Sequence, residues 1–501
     1  MKKNLTDGIK TYLEQDIYPM HMPGHKRNRS LMGYGLPGNA ESYDLTEVYG
    51  TDDLHRSRGI IRGSMLRTAK LYGAGLTRYL VNGSTCGILA GIAALCGRRD
   101  VVIASRNCHI SVAHAIEIND LKVKWMLPEY DEKLSIFKEI RPDTLKTAIE
   151  EVIAAGSFPS LVVITSPTYE GYLSDTESLS RICHDHGIPL LVDEAHGAHL
   201  RFTYDHRDAL SQGADVVVQS PHKTLCSLTQ SAWMHVSKEA LIRCPGIEDR
   251  LEEKLSVYET SSPSYPLMLS LDKTSCIMES HAKELDARYI KLLSMLYGRL
   301  ESLKCLKIPE LSGVKALCEN RLAGKGVSDM RHDPGKLLIN TSASGINAGE
   351  LAEILRKRYG YETEYAIGNN VLAMITMWDD AERLKGFAMA LREIDEGLKE
   401  GIKEGYKNAS GDVCGYLKEL PCAVSDISDA LTGERVFSVP YADGVAAEYI
   451  YCYPPGIPLM VPGEAVDENI LSFMEEAKRS GCEILGSCSS FREEFCFQKK
   501  N

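Results

Sequence analysis

Several signatures are missing from this chain, and each absence removes a class. No C-x-x-C pair occurs among its 15 cysteines and no H-E-x-x-H is present, so neither a zinc ribbon nor a disulfide framework is indicated. No window approaches the ~20 apolar residues of a membrane-spanning helix. The start, Met-Lys-Lys, has no apolar stretch behind it, which argues against an export signal. Lys and Arg form no sustained block, and 57 of them against 69 Asp and Glu leave a net charge of −12. That balance argues against nucleic acid or an anionic membrane as partner. The dinucleotide fingerprint is absent, since Arg78 stands where Gly73 and Gly75 would need a third glycine, and there is no Walker lysine. Internal repeats and low-complexity tracts are lacking too. What remains is a protein of a reducing cytoplasm, acting on small molecules, with its cysteines serving as small core residues.

What is present fits that class. With 501 residues, 44% apolar and 25% charged, the chain suits two to four globular domains at about 100 to 200 residues each. Short apolar runs at 77–81, 101–104, 161–165, 189–192 and 216–218 alternate with helical segments, the pattern of a parallel sheet with crossover helices. Each run is followed by a polar cluster: Asn82-Gly-Ser-Thr85, Ser105-Arg-Asn-Cys-His109, Ser166-Pro-Thr-Tyr-Glu170, Asp193-Glu-Ala-His196 and Gln219-Ser-Pro-His-Lys223. The carboxyl edge of an open α/β sheet is where ligands bind, so one shared site is expected. The Gly- and Pro-punctuated segment before residue 75 is expected to drape over another part of the molecule. Runs at 336–341 and 371–376 around a helix at 348–359 suggest a second, smaller α/β unit. Pro and Gly density around residues 453–464 suggests an extended loop.

The clusters carry chemistry, each with an ordinary alternative. Asn82-Gly-Ser-Thr-Cys-Gly87 opens a helix and suits a phosphate, or is a plain helix start. Asp193 ends an apolar strand, where a buried carboxylate needs a cation such as a protonated pyridine nitrogen, or merely caps a turn. Asp193, His196 and His199 could be metal ligands, but the Asp lies in a strand while the two His would share a helical face; no metal is expected. His184 and His186 close a helix and should face solvent. Lys223, sheltered after a strand, suits a Schiff-base nucleophile, or is a surface lysine.

Phosphate loop, strand-end aspartate and S-x-H-K in this order match the three handles of pyridoxal 5′-phosphate. On these residues the chain resembles the bacterial ornithine/lysine/arginine decarboxylases of fold type I, in their short form. The resemblance runs almost end to end, through His21-Met-Pro-Gly-His-Lys26, Asp52-Asp-Leu-His55, Asn82-Gly-Ser-Thr85, Arg106-Asn-Cys-His109, Ser166-Pro-Thr-Tyr169, Val192-Asp-Glu-Ala-His-Gly197, Ser220-Pro-His-Lys223, Thr229-Gln-Ser231, Ser262-Pro-Ser-Tyr265, Tyr453-Pro-Pro-Gly-Ile-Pro458 and Pro462-Gly-Glu464. It implies an aspartate-aminotransferase-like large domain with a mostly parallel sheet at 46–300. An arm at 1–45, a small α/β domain at 301–405 and a C-terminal domain at 406–501 complete the chain.

The resemblance further implies that Lys223 forms the Schiff base, Asp193 pairs with the pyridinium and His109 stacks on the ring. Ser84, Thr85 and Ser220, with His222 nearby, would hold the phosphate, and His196 would lie beside the ring. The expected reaction is decarboxylation of a basic amino acid, arginine before lysine or ornithine, to an amine of polyamine metabolism. Glu47, Tyr453 and Glu464 are candidates for its distal cation. Residues 260–265 would reach a neighbouring subunit's phosphate site, making a homodimer or dimer-based oligomer, and a wing-mediated decamer is not expected. Ile110 and Cys86 depart from the family pattern, and neither is a catalytic group. Another pyridoxal-phosphate reaction, such as transamination through Arg321, Arg331, Arg356 or Arg358, stays open, as does a non-catalytic regulatory role.

Overall fold

In the computed structural model, which describes residues 14–28, 31, 40–203, 207–325, 330–401, 424–431, 435–438, 440, 444–453, 457–479, 483–488 and 494–498, the apolar runs assemble into one eight-stranded sheet. Its strands in chain order are β1 (Leu76–Leu80), β2 (Val101–Ser105), β3 (Lys122–Met126), β4 (Pro159–Thr165), β5 (Leu190–Asp193), β6 (Val216–Gln219), β7 (Ala232–Val236) and β8 (Val424–Asp426). Across the sheet they lie in the order β8-β3-β2-β4-β5-β6-β7-β1. The strands between β8 and β7 are parallel to one another, whereas β7 and β8 run antiparallel to their neighbours. The fold type I architecture with a mostly parallel sheet is therefore the one adopted.

Side chains alternate across the sheet, and both faces are covered. Ile103, Val162, Ile164, Leu190, Val192 and Val217 join a core with the 36-residue helix Tyr265–Leu300. Val102, Val163, Leu191, Val216 and Val218 join a second core with the helices Gly83–Leu95 and Ile247–Tyr258. Gly87 permits this second layer, because a Cβ there would come within 2.6 Å of Leu80 and 2.9 Å of Val218. The five expected strands all form. β3 escaped the pattern because Lys124 interrupts it; its stem is buried while its Nζ reaches Glu151 at 2.5 Å, the behaviour of a long amphipathic side chain.

The smaller unit contains Lys336–Asn340, Asn370–Met374 and Tyr365–Ile367 as antiparallel neighbours. Its helix Ala348–Tyr359 starts at a capping box formed by Asn347 and Glu350 and stops at Gly360, whose φ of 73° is left-handed. The strand Tyr18–Met20 pairs in parallel with Tyr361–Thr363, and the arm then turns towards the large unit. There Gly24 N–H donates to His222 carbonyl at 2.8 Å. Lys26, 4% exposed, donates to the carbonyls of Pro19, His21 and Met374. The arm thus drapes over the turn that carries Lys223. Asp52 accepts from the backbone N–H groups of Gly59 and Ile61 and caps the helix Ile60–Tyr72.

Two expectations need correction. The 453–464 region is not all extended loop: Ile457–Met460 is a strand paired with Ile450–Tyr453. It is an edge of its three-stranded sheet, where Pro458 is tolerated; Pro454, Pro455 and Gly456 lie outside the described residues. His184 faces solvent only in part, with 22% of its side chain exposed and its Nε2 2.9 Å from the buried Asp215; His186 is exposed.

Arg106 fastens the C-terminal segment to the large sheet. It is 1% exposed, donates to the carbonyls of Pro458 (2.7 Å) and Leu459 (3.1 Å), and pairs with Glu464 at 3.0 Å. Breaking a buried pair leaves one charge uncompensated, so Arg106→Met should cost about 3–5 kcal/mol. The check is the chemical-denaturation midpoint, and an unchanged midpoint would contradict this anchoring role.

Candidate active site

The carboxyl ends of the parallel strands point their polar clusters into a single cavity of about 370 Å³. Ser84, Thr85, His109, Asp193, His196, His222 and Lys223 all line it. Ser220 is fully buried at the N-cap of the helix Pro221–Thr224 beside them, and its Oγ has no hydrogen-bond partner. Among the described residues no group of three or more His, Cys, Asp or Glu could hold a metal ion. The Asp193, His196 and His199 alternative fails because His199 turns away to Asp333, 3.2 Å distant.

Each group has a defined electrostatic state. Asp193 is 4% exposed and accepts from Ala195 N–H at 3.1 Å. Burial holds its carboxyl above the usual range, against the pull of Lys223. Burial likewise lowers Lys223, opposed by Asp193 and Glu364. His109 caps the helix Ile110–Ile118 by accepting from Ser111 N–H at Nδ1. Its Nε2 therefore carries the proton, and burial lowers the ring to about 4. His222 donates from Nδ1 to the carbonyl of Ser231 at 2.8 Å, which leaves Nε2 as the ring's remaining acceptor. Burial brings this ring to about 4 as well.

Helix Gly83–Leu95 starts at the cavity wall with Gly83 at φ 79°, a left-handed conformation natural to glycine. Its first-turn N–H groups and the Ser84 and Thr85 hydroxyls make an anion-receptive end. Sequence reasoning missed other parts of the wall. Glu170 brings a carboxylate held by Tyr365 Oη at 3.1 Å, although its place in a strand-end polar cluster was a usable signal. Asn107 Oδ1 and Thr165 Oγ1 are buried there without a partner. Of the distal-cation candidates, Glu464 is taken by Arg106 and Glu47 is exposed away from the cavity. The side chain of Tyr453 lies outside the described residues. The four small-domain arginines do not line the cavity either; Arg321, Arg356 and Arg358 pair with Asp286, Glu362 and Glu393.

An anion-receptive helix end, a buried carboxylate and a half-buried lysine around one cavity, with buried polar atoms at Asn107, Thr165 and Ser220 still unpartnered, fit a phosphorylated pyridine aldehyde. Comparison with known proteins agrees. Residues 3–383 match the model for the Orn/Lys/Arg decarboxylase major domain, and residues 432–486 that for the Orn/Lys/Arg decarboxylase C-terminal domain. The chain is 30% identical to an arginine decarboxylase of Bacillus subtilis over 492 residues, covering 96% of this chain and 95% of the relative. It is 24% identical to a lysine decarboxylase of Pseudomonas aeruginosa, covering 93% of this chain and 74% of that one. The solved constitutive lysine decarboxylase of E. coli superposes with a TM-score of 0.71 at 21% identity, covering 99% of this chain and 81% of that chain. The chain thus belongs to the Orn/Lys/Arg decarboxylase family and is a fold type I amino-acid decarboxylase.

Proposed function

We propose that this chain decarboxylates arginine, in preference to lysine or ornithine, with pyridoxal 5′-phosphate held through Lys223. The observation that carries the reading is the convergence of Lys223, Asp193 and the Ser84–Thr85 helix end on one cavity. The full-length likeness to an arginine decarboxylase supports the choice of substrate.

The bound cofactor supplies an electron sink for the carbanion left when CO₂ departs. Everything else falls to the chain's own residues. Asp193 offers the negative charge that keeps a pyridine nitrogen protonated. The neutral His109 ring presents an uncharged flat surface. Ser84 and Thr85 would donate their hydroxyls to the phosphate, and with that dianion nearby His222 Nε2 would take up a proton. Leu134, Ile136, Phe137, Ile367 and Leu459 give the cavity an apolar side, where a carboxylate is poorly solvated and its loss is favoured. Lys223, whose Nζ is 3.2 Å from His196 Nε2, would gain a proton from the incoming substrate ammonium when it is displaced, and it or a nearby His would pass a proton to the α-carbon.

Glu170 is the carboxylate suited to the substrate's distal cation. Glu170→Gln should raise KM for arginine by on the order of 10- to 100-fold, the loss of one charged hydrogen bond, with a smaller change in kcat. Steady-state kinetics check this; an unchanged KM would move the distal site elsewhere. A transaminase is disfavoured because Arg321, Arg331, Arg356 and Arg358 leave the cavity without a carboxylate clamp among the described residues. Substrate choice is tested by offering equimolar arginine, lysine and ornithine and quantifying the three amines. Dominant agmatine supports the reading, and a dominant diamine replaces it.

The functional unit in this reading is a homodimer. Exposed apolar side chains at Leu45, Val48, Tyr49, Ile60 and Leu66 supply a surface for a second copy, and sedimentation at twice 55.4 kDa would be the expected mass. Among the described residues no helix is long and apolar enough to cross a membrane. Free, buried thiols at Cys86, Cys108, Cys183 and Cys226 suit the reducing cytoplasm.

A further inference from the structure

His196 lies between two lysines. Lys223 Nζ is 3.2 Å from its Nε2, and Lys336 Nζ is 2.7 Å from its Nδ1. Lys336 opens the small-unit strand Lys336–Asn340 and is 1% exposed. Its stem passes over Gly171, where a Cβ would meet the Lys336 side chain at 2.7 Å and the backbone φ is 102°. The approach therefore depends on glycine at that position.

Counting protons constrains this trio. An ammonium can only donate, so two ammonium groups would require both ring nitrogens to accept, and a neutral imidazole has one acceptor. With a neutral ring, one lysine must be a free amine. The shorter contact, 2.7 Å to Lys336, is the better match to a charge-assisted bond than the 3.2 Å contact to Lys223. The surroundings agree. Lys336 Nζ stands 5.3 Å from the centre of the Tyr169 ring and 3.8 Å from Met374 Sδ, and Glu364, Asp333 and Glu170 favour its charged form. Lys223 faces Asp193 and Glu364, with His109, His196 and His222 beside it, all three rings held neutral by burial. Burial lowers Lys336 to about 8, so it carries its proton at neutral pH.

We propose that Lys336 is a positioning residue: by donating to Nδ1 it fixes His196 as the Nε2–H tautomer, which donates to Lys223 and keeps that lysine a free amine. Only the free amine attacks a carbonyl, so the small unit prepares a nucleophile carried by the large one. This inference rests on the reading of Lys223 as the cofactor-holding lysine.

The test uses the full-length chain, stripped of pyridoxal phosphate and labelled with ¹⁵N-histidine, with His196 assigned through His196→Gln. At pH 7 the wild-type ring should show a protonated Nε2 and a bare Nδ1, and Lys336→Met should shift the proton to Nδ1. In parallel, the pH midpoint for acylation of Lys223, followed by peptide mass, should rise by about one unit or more in Lys336→Met, a tenfold loss of free amine at a given pH. A wild-type ring protonated on Nδ1 overturns the proposal, as does an unchanged tautomer in the variant. Should Lys336→Met fail to fold, the wild-type tautomer alone decides. No substrate or cofactor enters these readouts, so a wrong tautomer would leave the decarboxylase reading standing, and absent CO₂ release would leave the tautomer result intact.

Discussion

Lys223→Ala should fold normally and lose CO₂ release by on the order of 10⁴-fold or more. In the proposed reading two functions disappear together, the nucleophile that would hold the cofactor and a candidate proton donor to the α-carbon, and each alone is worth orders of magnitude. Stability should not suffer, because burial disfavours the charged form of Lys223 in the folded protein, so removing the group relieves a cost. The expected signature is a thermal midpoint at or above wild type in the cofactor-free protein, with no borohydride-reducible visible band after pyridoxal phosphate is added. Activity within tenfold of wild type would remove Lys223 from the mechanism.

Asp193→Asn should lower kcat by about 10²- to 10³-fold, the usual scale for losing one preorganised charge beside a reacting group. The side chain keeps its shape and can still accept from Ala195 N–H, so binding of the cofactor should persist. The stability sign is opposite to that of a salt-bridged aspartate. Its folded-state pKa is raised by burial, so the carboxylate costs stability once pH exceeds the unfolded value, and asparagine removes that cost. At pH 7 the cofactor-free variant should melt no lower than wild type, and the gap should narrow on acidification. A large fall in the melting temperature would make Asp193 a structural residue instead.

How legible this molecule is depends on chain distance. β2, β4, β5 and β6 read clearly because each is apolar on both faces and ends in a polar cluster. Asp193 and Lys223 stand at those ends, but each alone has an ordinary alternative, and it is the order of phosphate loop, strand-end aspartate and S-x-H-K that singles them out. Contacts closed by distant segments do not read. Lys336 meets His196 across 140 residues, and nothing near Lys336-Leu-Leu-Ile-Asn340 distinguishes that lysine from the start of an ordinary strand. Glu464 passes for a substrate carboxylate until Arg106, 358 positions away, claims it. Ser220 reads as a phosphate ligand from its motif; in the fold it stands at the N-cap of the short helix Pro221–Thr224, its buried Oγ without a hydrogen-bond partner. β3 hides because Lys124 interrupts an apolar run while its stem stays buried.

The most direct test is release of labelled CO₂ from carboxyl-¹³C arginine by the purified chain with pyridoxal phosphate, run beside lysine and ornithine and with Lys223→Ala as control. The account predicts ¹³CO₂ in equal amount to agmatine, dependent on the cofactor and lost in the control. A protein that holds the cofactor yet releases CO₂ from none of the three amino acids would contradict it.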